Sequence, residues 1–175
     1  MSQLNLTEPE QESYENGIVN VSINHDFENP LIRYALVDGM NIAMLRKKDQ
    51  KGRFIDILKV YYMLKEEYES VEIYVDASIR YRIDHKNNLE KLINDKTIFL
   101  CPAGITADEL IWERSVSLIS RGHEIAIITN DMFPAIRYSP EYNKLKNITV
   151  SILNDGEIYM IERNLDRLYQ RSHGR

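Results

Sequence analysis

The feature that most constrains this chain is an alternation. Five apolar runs, at 31–37, 71–75, 97–100, 124–129 and 148–153, are separated by segments with helical spacing of apolar residues. Near-continuous stretches such as Ile125-Ala126-Ile127-Ile128 describe strands buried on both faces, which is how parallel sheets read. Between them Phe54, Ile57, Leu58, Tyr61, Leu64 and Tyr68 recur at the spacing of one helix. Residues 84–93 place Leu89, Leu92 and Ile93 on one side of a second helix, and a third is predicted from Thr106 to Arg121, with Gly122 as its stop. Strands alternating with helices predict βαβ units, right-handed crossovers, and an α/β fold whose central parallel sheet is covered on both faces, three layers in all. A short helical piece after Asp131, a loop near Pro140, and a short strand with a terminal helix within 156–171 complete the expectation.

Charge divides the chain unevenly. Residues 1–30 hold six acids and no Lys or Arg, whereas the remainder is balanced at 21 acids against 22 bases. The expected organisation is an acidic, flexible N-terminal arm (1–30), one domain (31–155), and a C-terminal extension packed on it (156–175). Bulk charge argues against non-specific nucleic-acid binding but leaves room for a local basic surface. No apolar run approaches the roughly 18–20 residues of a membrane span, and the first thirty residues lack the basic and apolar regions of a signal peptide. The single cysteine, Cys101, excludes an internal disulfide and a multi-cysteine zinc site. A cytoplasmic protein with no membrane partner is expected.

The strand ends share a chemistry. Asp38, Asp76 and Asp131 follow apolar strands directly, and Asp108 opens the helix after the third. Parallel strands bring such positions to one edge, where ligands bind in α/β sheets. Four carboxylates there raise one another's pKa unless a cation is present. Hard oxygen ligands of this kind suit Mg²⁺ or Mn²⁺, and such ions activate water and stabilise the leaving oxygen of a phosphodiester. Singly, each acid has an ordinary explanation: a turn at Asp38-Gly39, a loop cap at Asp76, a helix N-cap at Asp131, a favourable dipole position at Asp108. Together they favour a metal site. Glu109 is assigned a structural role, closing a capping box with Thr106.

Two basic groups follow the first two acids: Arg46, Lys47, Lys48, Lys51 and Arg53, then Arg80, Arg82, His85 and Lys86. Both are expected at the carboxylate edge, where they could hold a polyanion by its phosphates. A solvated loop is the plain alternative for any one of these bases. Tyr81 and Met40 could contact nucleobases, although loop aromatics more often serve packing.

Three ordered segments, Val37-Asp38-Gly39-Met40-Asn41-Ile42-Ala43, Ala107-Asp108-Glu109 and Thr129-Asn130-Asp131, resemble the NYN branch of the PIN-like nucleases. The likeness is greatest to the ribonuclease domain of the CCCH zinc-finger (Regnase-type) RNases, and Val75-Asp76-Ala77-Ser78-Ile79-Arg80-Tyr81-Arg82 shares it. It spans residues 32–138. The resemblance implies a PIN-like sheet in the order 3-2-1-4-5 and Mg²⁺- or Mn²⁺-dependent hydrolysis of RNA. By it Asp38, Asp108 and Asp131 match metal-binding acids and Asn41 an orienting amide, while Asp76 joins them as a fourth candidate ligand. The expected partner is RNA, single-stranded; a homo-oligomer is compatible with the sequence. No CCCH finger is present, so the target selection of those enzymes does not transfer. A non-catalytic RNA-binding module with the same fold is the competing reading. A haloacid-dehalogenase-like phosphatase needs a second acid two residues after the first, where this chain has Met40.

Overall fold

The computed structural model describes residues 30–131 and 140–163. Its centre is β1 (Arg33–Asp38), which runs parallel to both β2 (Ser70–Val75) and β4 (Glu124–Ile128), with Leu36 opposite Glu72 on one side and Ile127 on the other. Strand alternation then divides the core. Ala35, Val37, Ile73, Val75, Ala126 and Ile128 meet α1 (Gly39–Met44), α2 (Phe54–Glu67) and α4 (Lys86–Asn94) on one face. Leu36, Tyr74, Ile125 and Ile127 meet α5 (Ala107–Ile119) on the other. This is the α/β layering expected.

The sheet extends beyond the expected order 3-2-1-4-5. It has six strands, β3-β2-β1-β4-β5-β6, in which β3 is Ile98–Leu100 and β5 is Lys146–Ile152. The sixth, β6 (Ile158–Glu162), runs antiparallel to β5, so the sheet is mixed rather than wholly parallel. A tight turn dictates this. Gly156 takes φ 93°, its N–H donates to the Leu153 carbonyl at 2.9 Å, and the Leu153 N–H donates to Glu157 at 2.8 Å. A connection so short can only return antiparallel. The strand expected in the C-terminal extension is therefore part of the sheet. The helical piece predicted after Asp131, the terminal helix and the acidic arm lie outside the described residues.

Two short helices were not anticipated. α1 starts immediately after β1, where at most a strand-end turn at Asp38-Gly39 was expected, because Asp38 caps it: the Asn41 N–H donates to Asp38 Oδ1 at 2.9 Å. Gly39 is required there by closeness, since a Cβ would lie 2.7 Å from Val75 Cγ1 and 2.8 Å from Ile73 Cγ2. α3 (Ile79–Arg82) continues the chain after Asp76, held beneath by the buried Ile79 and Ile83. α5 opens with the predicted capping box of Thr106 and Glu109. The Arg53 side chain does not cap α2; the Phe54 N–H instead donates to Asp84 Oδ1 at 2.6 Å. Among the described residues no helix is long and apolar enough to cross a membrane.

Candidate active site

β1 and β4 end side by side, and their terminal polar residues bond to one another. Asp38 is only 5 % exposed. Its Oδ1 accepts from the Asn41 N–H and its Oδ2 from Thr129 Oγ1 at 3.3 Å. Thr129 Oγ1 in turn accepts from the Asp131 N–H at 3.1 Å. Asn41 spans the same gap from α1: its Nδ2 donates to Asp131 Oδ2 at 3.2 Å, and its Oδ1 accepts from the Asn130 N–H at 3.0 Å. The Asn130 side chain, pointing the other way, exchanges two bonds with the Val150 backbone, at 2.8 and 2.9 Å, and so fastens the loop to β5.

Among the described residues the donors to the Asp38 carboxylate are neutral, and no salt bridge includes it. Burial pushes its pKa up to about 7; the Asn41 N–H opposes this, and the charges of Asp108, Asp131 and Asp76 add to it. Asp108, half-buried on the first turn of α5, is raised to about 6 by burial, then by Asp131, Asp76 and Glu109. Asp38 thus lies within electrostatic range of the three other predicted acids, and Asp108 within range of Asp76 and Asp131. Asp76 has a second task, accepting from the Ala107 N–H at 2.7 Å and so tying the start of α5 to the end of β2. Side-chain positions do not close on a common point: among the described residues no three His, Cys, Asp or Glu form a ready-made metal cluster. The donor set nonetheless fits a hard divalent cation. It is all oxygen, with one buried carboxylate left without a positive partner.

The basic residues divide. Arg46 points into the protein, where it pairs with Asp56, a fully buried acid, at 2.5 Å and donates to the Leu153 carbonyl at 2.6 Å. Its expected place on an RNA-binding surface is filled by that internal bond. Arg53 stands 4.0 Å from the same carboxylate, and Arg80 is paired with Glu90. Lys47, Lys48, Lys51, Arg82, His85 and Lys86 are exposed and enter no ion pair among the described residues. The two basic segments are stitched together: the Gly52 N–H donates to the Arg82 carbonyl at 2.6 Å, and the Asp84 N–H to the Gly52 carbonyl at 2.9 Å.

Sequence reasoning passed over two contributors. Thr129 links Asp38 to Asp131, and its place in the Thr129-Asn130-Asp131 segment was the available signal. Arg163, just past β6, donates from Nη1 to the Asp131 carbonyl at 3.1 Å and from Nη2 to the Asn130 carbonyl at 2.7 Å. No local pattern marks it, because its position depends on the antiparallel register of β6. Compared with known proteins, the chain matches no family model and no curated protein.

Proposed function

We propose that this protein is a metal-dependent phosphodiesterase acting on single-stranded RNA, with a PIN-like fold. The observation that carries the reading is Asp38: a nearly fully buried carboxylate, repelled by three other acids and joined to no base in any described salt bridge. Such a group is costly unless a cation joins it. Asp38, Asp108 and Asp131 would hold Mg²⁺ or Mn²⁺, with Asp76 near enough to add its charge. When bound, the ion supplies an activated water and charge stabilisation for the leaving oxygen.

The chain's own residues have separable tasks. Asn41 orients Asp131 through Nδ2 and holds the Asn130 backbone through Oδ1. Thr129 keeps Asp38 from rotating away, and Arg163 fixes the carbonyls on which the Asp131 loop hangs. The exposed lysines and Arg82 supply positive charge for phosphates beside the acidic edge. RNA as the substrate class is supported by the resemblance of the three motif segments to NYN ribonucleases. A pure binding module has little use for clustered acids that repel phosphate, which favours catalysis over the adaptor reading.

The test is cleavage of labelled single-stranded RNA in Mg²⁺ or Mn²⁺ by the wild-type protein and Asp38→Asn. Loss of at least about a hundredfold in rate is expected, the scale of removing a principal electrostatic contributor. Equal cleavage by both proteins would overturn the assignment. RNA binding without cleavage in either ion would turn it to the adaptor.

A further inference from the structure

One exposed aromatic stands apart. Tyr81 is 81 % exposed, more than any other large apolar or aromatic side chain among the described residues. A lone exposed ring is common on protein surfaces, so its surroundings decide its meaning. The ring projects from α3, and that helix is fastened from several sides. Ile79 and Ile83 are buried beneath it, Arg80 is paired with Glu90 at 2.8 and 2.9 Å, and the Arg82 carbonyl accepts from Gly52. Tyr81 is therefore presented to solvent by fixed neighbours. Lys86 Nζ lies 5.8 Å from the ring centroid, within cation–π reach. Arg82 is exposed beside it, and the seam at Gly52 brings the Lys47–Lys51 segment alongside.

The location matters as much as the composition. α3 follows directly from Asp76, with the Ile79 N–H donating to the Asp76 carbonyl at 3.0 Å. An aromatic face flanked by cations thus adjoins the acidic edge. Single-stranded nucleic acid is bound by this combination, cations tracking phosphates while a ring takes the π-face of a base.

We propose that Tyr81 is a stacking site for one unpaired nucleobase, with Lys86 and Arg82 holding the adjoining phosphates. The proposal rests on the phosphodiesterase reading for the choice of nucleic acid as ligand, and it deepens that reading by naming how a single strand is gripped. A duplex keeps its bases stacked internally and offers none to the ring.

The experiment measures binding in EDTA, where cleavage is absent, by fluorescence anisotropy. The probes are a labelled oligouridylate, an abasic ribose-phosphate chain of equal length, and an RNA duplex. Tyr81→Ala is expected to weaken oligouridylate binding by about 5- to 150-fold, the equivalent of about 1–3 kcal/mol for one stacked base. Tyr81→Phe and Tyr81→Trp should keep it. Abasic chain and duplex should bind wild type and Tyr81→Ala alike. Equal oligouridylate binding by wild type and Tyr81→Ala overturns the proposal, as does failure of the wild type to bind, or an equal loss on the abasic chain. The two readings separate cleanly. A protein that grips oligouridylate through Tyr81 but cuts nothing in Mn²⁺ loses the hydrolase assignment alone. One that cuts RNA and is indifferent to Tyr81→Ala loses the stacking site alone.

Discussion

At the scale of single residues, the decisive group is Asp38. Its folded pKa near 7 lies well above the ordinary value of 3.8, so between those values the folded state binds a proton that the unfolded state has released. Stability of the metal-free protein must then fall as pH rises from about 4 to about 7, by as much as roughly 4 kcal/mol at about 1.4 kcal/mol per pH unit. Chemical denaturation at pH 5 and pH 8 in EDTA measures this. Asp38→Asn should flatten the slope and leave the metal-free protein more stable at pH 8 than the wild type. Mn²⁺ should restore wild-type stability at pH 8 and do nothing for Asp38→Asn. Asp38 stood out in the sequence because an acid closing a buried strand is unusual on its face, whereas Asn41 was singled out through the motif resemblance. Arg46 was misread for the converse reason: a base in a charged loop looks the same whether it faces water or a carboxylate ten residues later. The structure gives it a buried partner in Asp56.

Among the elements, the basic loop shows how one segment serves two roles. The loop from Leu45 to Arg53 is anchored inward by Arg46 and outward by the Gly52 seam, so its charges have two kinds of work. Arg46→Ala leaves Asp56 buried without its short ion pair and should cost about 3–5 kcal/mol in urea unfolding. Lys47→Ala should leave unfolding unchanged while lowering the salt dependence of RNA binding by about one phosphate contact. If Arg46→Ala were as stable as wild type, the Asp56 bond would not be what holds this loop. Gly39→Ala forces a methyl against Val75 and Ile73 at the start of α1, and overpacking of that kind costs about 1–3 kcal/mol. α2 and α4 were readable from apolar spacing, and α5 from its capping box and the glycine that stops it. α1 and α3 were not, because six and four residues hold too little period and both depend on strand-end geometry.

The whole molecule brings in Arg163, reached only after the chain has run out along β5 and back along β6. Because its guanidinium holds two carbonyls of the Asp131 loop, Arg163→Ala should lower the rate of RNA cleavage about 10- to 100-fold, the usual effect of losing an outer support of a metal ligand. Binding of oligouridylate in EDTA should persist, which distinguishes a positioning role from a general collapse. The βαβ alternation made the layers legible, but not the sixth strand, whose direction is set by the five-residue turn around Gly156. The place of β1 in the sheet has a further consequence for synthesis. Its residues pair with Ser70–Tyr74 on one flank and Glu124–Ile128 on the other. A nascent chain therefore carries this central strand, buried over its last four residues in the fold, with one edge open until residue 128 has left the ribosome, and long-range parallel pairing is slow. Asp38 meets Asp131 only after that, and Arg163 later still, so the candidate site cannot assemble before synthesis has passed residue 163.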